Sequence, residues 1–536
     1  MKHYFPLFLA VVFLAWHPAS AQNIPHEHPH PNGIKRAYRA PSFAHGWEKA
    51  GQHPDHIVLN LTEDPSTSMS VTWRTSTAAI KGYAEIAPAT GAPKFWRTAK
   101  TYKAKTEVAD FTGVLEAGVV NAYHSVTFTN LEPGTVYAYR VGDGDIWSEW
   151  IQFRTAAAEA KPFSFLYVGD AQNYILELWS RLIREGYRQA PDASFIIHAG
   201  DLINTAHNEQ QWHEWFTAGG FIHSMVPSLP TPGNHEYWPR NEAEMTNRER
   251  HLSAQWQPQF TLPLNGPANL DTLAETVYFV DYQDTRIISL NSNKFQEAQV
   301  PWLDSVLTHN PNKWTVVTFH HPLFSASARR DNNALRKAWK PLFDKHNVDL
   351  VLQGHDHSYA RGRTGVPEQN VMAGLNRRDY TGSVYVVSVS GGKMYDLNPN
   401  GWDDFKDAER DRGAENTQLI QAITIDGDKL SYEGYTAIGE LYDAFDLIKA
   451  EGKPNRFVER KQEAIPARRF DNTIPYQDEL PLDLKQKLLD QFPGATFSRI
   501  TYVDEPEFRG YYLRLSQEGK TMGLKIDDQG TILHED

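Results

Sequence analysis

The 536-residue chain contains no cysteine, which excludes disulfides, thiolate metal ligands, redox chemistry at sulfur and a thiol-linked lipid anchor. Nor is there any run of Lys and Arg: 53 basic side chains stand against 66 acidic ones, for a formal net charge of −13. Nucleic-acid surfaces need clustered basic residues, so no such surface is expected. Only one long apolar run occurs, Phe5 to Trp16, and it is shorter than the roughly 20 residues that span a bilayer. No segment recurs at a fixed period, and no Ser stands in a Gly-x-Ser-x-Gly elbow that would suggest covalent catalysis. Aromatic residues, by contrast, are plentiful. With 15 Trp, 24 Tyr and 26 Phe, the chain has ample material for packing. Its length predicts about three domains.

The apolar run follows Lys2 and precedes the small residues Ala19 and Ala21, so residues 1–21 read as a cleaved signal peptide. Export, to the periplasm of a bacterium or beyond the cell, is therefore expected, with no membrane span after cleavage. Residues 22–54, with His26, His28 and His30, read as a flexible lead. Over residues 55–157 apolar residues alternate, as at Met69, Val71 and Trp73 and again at Tyr137, Tyr139 and Val141. This predicts a β-sandwich that resembles a fibronectin type III-like module. The pattern changes at Lys161. Residues 161–450 alternate continuous apolar strands, such as Phe163 to Val168 and Trp314 to Phe319, with helical spacing at Leu176 to Arg188 and Glu209 to Phe221. Strands apolar on both faces predict an α/β sandwich, two sheets flanked by helices. Residues 451–477 are charged and broken by Pro454, Pro466 and Pro475, and read as a linker. Residues 478–536 predict one amphipathic helix on a small antiparallel sheet, an α+β module that resembles the PepSY type.

Five short clusters lie within the α/β region: Gly169-Asp170, Gly200-Asp201, Gly233-Asn234-His235-Glu236, Val317-Thr318-Phe319-His320 and Gly354-His355-Asp356-His357. Each follows an apolar strand, which places its residues on one rim at the carboxyl ends of the strands. A donor set of Asp, Asn and His suits Zn, Fe and Mn, and one shared carboxylate can bridge two such ions. In order and company these clusters resemble the calcineurin-like metallophosphoesterases, and more closely the purple acid phosphatases, which also carry an N-terminal β-sandwich. The resemblance covers Asp55 to Lys449. It implies that Asp201 bridges two metal ions, Fe with Zn or Mn. Asp170 and His357 would complete one ion's shell, and Asn234, His320 and His355 the other's, with His235 facing the substrate as general acid. His321 is expected to support these ligands rather than join them.

Two positions depart from the family. Purple acid phosphatases place a Tyr three residues after the bridging Asp, where this chain has Asn204. The wider superfamily has a His two residues after the first Asp, where this chain has Gln172. Gln172 or Asn204 through its amide oxygen, or water, would complete the first ion, and the purple colour is expected to be absent. Plant-type enzymes offer His some nine residues after the conserved His of the fourth cluster, whereas here Arg329 and Arg330 stand there, fit to hold a substrate phosphate. The resemblance implies hydrolysis of a small-molecule phosphomonoester with no phosphoenzyme. Two other functions fit the same residues: a phosphodiesterase or nucleotidase, and a non-catalytic binding protein with a degenerate metal site. The segments Trp238 to Leu262 and Ala360 to Asp379 are expected to choose among esters. Oligomeric state is left open.

Overall fold

The computed structural model describes residues 27–29, 35–37, 50–327, 330–366, 380–398, 400–450, 452–460, 480–505, 508–517 and 520–535. The chain forms two compact units, one of residues 40–474 and one joining residues 1–39 to 475–536. The expected signal peptide lies outside the described residues.

In the larger unit the β-sandwich is present. Strands Tyr83–Pro88, Lys100–Lys103, Val136–Gly142 and Ile151–Arg154 form one sheet. The other sheet, of Asp55–Asn60, Met69–Thr75, Lys105–Asp110 and Val120–Phe128, does not stop at the sandwich. Asn60 pairs in parallel with Ser228, so the sandwich strands continue into a twelve-stranded sheet that includes Phe163–Val168, Ile196–His198 and Ser228–Pro230. One apolar core accordingly runs from Val58, Trp73 and Phe128 to Trp179, Trp212 and Trp215 without a break.

A second, seven-stranded sheet carries Tyr278–Tyr282, Thr285–Ser289, Trp314–Phe319, Leu350–Gln353, Val384–Val387, Tyr359–Thr364 and Ala408–Ala414 in that spatial order. Its buried strands are Val- and Leu-rich on both faces, as two-sided coverage demands. Helices Val300–Thr308 and Asn333–His346 cover it through Leu303, Trp339 and Phe343. Pro341 does not end the second of these helices, whose first turn begins eight residues earlier.

Three expectations change. Ala360 to Thr364, placed in a substrate loop, belongs to a strand of the seven-stranded sheet, while residues 367–379 lie outside the described residues. Residues 453–459, assigned to the linker, form a strand that pairs with Leu441–Ala450. Phe457 stacks on Phe445 at 5.3 Å and Glu459 pairs with the buried Arg361 at 3.0 Å, so charge there marks an ion pair rather than a solvated linker. Within the flexible lead, Glu27–Pro29 and Lys35–Ala37 pair as a short antiparallel ladder.

In the smaller unit, helix Leu482–Gln491 lays Leu484 and Leu488 on a four-stranded antiparallel sheet, with Leu513, Leu515, Leu524 and Ile526 as the opposing core.

Candidate active site

The two sheets of the larger unit each deliver part of one rim. Parallel strands Phe163–Val168, Ile196–His198 and Ser228–Pro230 lead to Asp170, Asp201 and Asn234. Parallel strands Trp314–Phe319 and Leu350–Gln353 of the other sheet lead to His320 and to His355 and His357. Oxygen donors thus come from one sheet and imidazoles from the other.

Close approach explains the glycines. At Gly200, with φ +84, an added Cβ would stand 2.6 Å from the Gly233 nitrogen and 2.7 Å from His320 Nδ1. Asp170, Asp201 and His355 themselves hold φ of 50, 53 and 74, a left-handed backbone that costs about 1–3 kcal/mol at each non-glycine position. Hydrogen bonds maintain these turns. Glu236, fully buried, accepts from the backbone N–H of Asp201 (2.8 Å), Leu202 (2.8 Å), Ile203 (3.4 Å) and Gly233 (2.6 Å). Asp356 accepts from Ser325, from the backbone of Ala326 and Ser327, and from Arg330 Nε at 2.7 Å. Neither support was assigned a role from sequence, although both sit inside the motifs.

The six expected ligands converge. Asp201 Oδ2 lies 3.1 Å from His320 Nε2, which is 3.1 Å from both Asn234 Oδ1 and His355 Nδ1. Asp201, His320 and His355 place their ligand atoms within 4.8 Å of one another. His357 Nε2 is 3.9 Å from Asp170 Oδ1. The outer ring nitrogens are held by carbonyls, His320 Nδ1 by Ala199 and His357 Nδ1 by Lys393, each at 2.9 Å, which leaves His320 Nε2 turned toward Asp201, Asn234 and His355 and His357 Nε2 turned toward Asp170 and Gln172.

Charge in this cluster is unbalanced. Burial alone would lower the pKa of His320, yet the Asp201 carboxylate beside it raises that imidazole to about 9 and is itself held well below the usual range. Burial, reinforced by the charge of Asp201, pushes the Asp170 carboxyl well above its ordinary value. Burial and neighbouring cations keep His321 and His357 neutral, both near 3, and lower His355 as well. Asp170 Oδ1 and Gln172 Oε1 are buried without any hydrogen-bond partner among the described residues. Buried oxygen atoms without donors, beside neutral imidazoles whose lone pairs point inward, are the surroundings that a pair of cations completes.

The remaining expected residues lie as follows. Gln172 Nε2 is 3.0 Å from both Asp201 Oδ2 and His357 Nε2. Asn204 reaches the site with its backbone carbonyl, which accepts from His235 Nδ1 at 2.5 Å. His235 Nε2 stands 4.0 Å from Asp201 Oδ2. Arg330 is spent on structure: besides Asp356 it donates through Nη2 to the His355 carbonyl at 3.1 Å. Arg329 lies outside the described residues. His321 Nδ1 pairs with Ser292 Oγ at 2.9 Å, a supporting contact.

Fold and rim define a calcineurin-like phosphoesterase, and the description "Calcineurin-like phosphoesterase" matches residues 163–359. Residues 54–155 match "Purple acid Phosphatase, N-terminal domain". The chain thus carries the two domains that purple acid phosphatases combine, and its homologues are acid and purple acid phosphatases, consistent with a metal-dependent phosphoric ester hydrolase. Acid phosphatase type 7 of Homo sapiens is 25% identical over 405 residues, 68% of this chain and 82% of that protein. Fe(3+)-Zn(2+) purple acid phosphatase 12 of Arabidopsis thaliana is 24% identical over 293 residues, 51% of this chain and 60% of its own. Among solved structures, purple acid phosphatase PPD1 from yellow lupin seeds shares the fold with a TM-score of 0.58 at 18% identity, covering 78% of this chain and 76% of its own. The family implies a binuclear metal centre, for which the rim supplies the ligand groups. Among the described residues no helix is long and apolar enough to cross a membrane.

Proposed function

We propose that the chain is an exported binuclear-metal phosphatase that hydrolyses small phosphomonoesters. The observation that carries this reading is the buried rim itself, with Asp170 Oδ1 unpartnered and the ligand atoms of Asp201, His320 and His355 within 4.8 Å of one another. Asp170, Asp201 and His357 would hold one ion; Asp201, Asn234, His320 and His355 the other. Fe with Zn or Mn suits this oxygen and imidazole set, and the name of the Arabidopsis relative agrees with Fe and Zn. Bound there, such a pair supplies an activated water and neutralises charge on the phosphoryl oxygens.

Gln172 is a better further ligand than Asn204. Its amide already spans Asp201 and His357, and a half-turn of that amide aims Oε1 at the same space. His235 serves the leaving group. Nδ1–H donates to the Asn204 carbonyl, which fixes the ring and reserves Nε2 as the atom that releases a proton to the departing alkoxide. Glu236 keeps the Asp201 and Asn234 turns in register during this step.

The test is turnover of an aryl phosphomonoester and a bis-aryl phosphate by metal-loaded protein. Monoester hydrolysis that falls about 10²–10⁴-fold in His235→Ala supports the reading. Faster hydrolysis of the diester assigns the site to a diesterase instead, and retained metal with no turnover of either ester marks a binding protein.

A further inference from the structure

The antiparallel ribbon after the third cluster pairs Tyr237–Trp238 with His251–Leu252, with Tyr237 opposite Leu252 and Trp238 opposite His251. Between the two strands the chain makes a short helix, Glu242–Asn247, started by the Asn241 side chain, whose Oδ1 accepts from the Glu244 N–H at 3.0 Å. This register returns Arg250 to the start of the ribbon. There Nε donates to the Tyr237 carbonyl and Nη2 to the Asn234 carbonyl, both at 2.9 Å, while the guanidinium carbon sits 5.5 Å from the centre of the Trp238 ring. Two carbonyls and one aromatic face thus fix the guanidinium plane against the backbone of Asn234, next to His235.

One edge of that plane, Nε with Nη2, is consumed by these carbonyls. The opposite edge, Nη1 with the second hydrogen of Nη2, has no partner among the described residues, and Arg250 forms no ion pair with any of them although the side chain is exposed. Arg330 uses the same Nε and Nη2 edge, but its charge is neutralised by the buried Asp356 carboxylate at 2.7 Å, whereas that of Arg250 is paired with no carboxylate among the described residues. A planar two-donor edge held rigidly beside a metal rim matches two oxygens of a phosphate.

We propose that Arg250 grips the non-metal-bound oxygens of the substrate phosphate and thereby selects monoesters over diesters. This rests on the phosphatase reading above. A monoester near neutral pH carries a second ionised oxygen, and a fixed guanidinium edge gains a charge-assisted pair with it that a diester, in which that oxygen carries the second ester group, does not complete. The residue lies in the segment Trp238 to Leu262, where ester choice was expected to reside, but no sequence motif singles it out.

The experiment compares wild type, Arg250→Lys and Arg250→Ala, each loaded with metal and checked for equal metal content. It measures kcat and KM for an aryl phosphomonoester and a bis-aryl phosphate, and the inhibition constant of inorganic phosphate. The expected result for Arg250→Ala is a loss of about 10- to 100-fold in monoester kcat/KM, with weaker phosphate inhibition and little change for the diester. Arg250→Lys keeps the charge without the fork and falls between. Equal losses for both esters, a fall in metal content, or unchanged phosphate inhibition would overturn the proposal, since each indicates a merely structural anchor. A wild type that hydrolyses the monoester while Arg250→Ala matches it rejects Arg250 alone; a wild type that hydrolyses neither ester rejects the phosphatase reading with it.

Discussion

Asp201 sits where the demands of the site meet: Oδ2 is within 3.1 Å of both His320 Nε2 and Gln172 Nε2, and Oδ1 accepts from the His235 N–H at 2.8 Å. Replacing it by Ala removes the shared carboxylate, so turnover is expected to drop to background together with bound metal, read by elemental analysis. Gln172 offers a finer test. In Gln172→Ala the first ion is expected to bind about 10- to 100-fold more weakly while the second stays, an asymmetry visible in a metal titration. At this scale the clustering of the six proposed ligands was legible because each is a donor type that stands beside a glycine or at a strand end. Arg250 and Glu236 were not: one is an ordinary exposed Arg until the ribbon folds it back, and the other is a buried carboxylate whose role is to collect backbone N–H groups from two distant turns.

Elements join through a few buried polar groups. Arg361, on strand Tyr359–Thr364 of the seven-stranded sheet, donates to both oxygens of Asp443, which stands on strand Leu441–Ala450 of the twelve-stranded sheet, and also to Asp411 and Glu459. Removing it strands a buried carboxylate, so Arg361→Ala is expected to destabilise the larger unit by about 3–5 kcal/mol in denaturant unfolding, against a small change for exposed Arg97→Ala. Strands such as Phe163–Val168 and Trp314–Phe319 matched their apolar runs because burial on both faces leaves no other reading. Lys453–Glu459 escaped because Glu459 is paired in three dimensions with Arg361, far away in the chain, which no local pattern reveals.

For the molecule as a whole, burial sets the response to acid. It lowers His223 to about 3 and His124 and His207 to about 4, and it also lowers His56, His198 and His213. Each of these imidazoles binds its proton in the unfolded chain near pH 6.5 but not in the fold, so stability is lost as pH falls below that value. Glu214 and Glu275, raised to about 7 by burial, work in the opposite sense between their unfolded value near 4.5 and 7. Histidines predominate, and the melting temperature of metal-depleted protein is expected to fall between pH 6.5 and 4.5, less steeply in His223→Leu; a flat profile would contradict this balance. The continuous sheet across sandwich and catalytic region was hidden from sequence for a related reason. Asn60 and Ser228 meet through a parallel pairing that spans most of the larger unit's first half.

The central claim is that one rim, built from both sheets, holds two ions and hydrolyses a phosphomonoester. Its most direct test is aryl phosphomonoester turnover as metal is returned stepwise to chelated protein. The site predicts activity that rises to a plateau at two bound ions per chain; no turnover at any loading, or a plateau at a single ion, would contradict it.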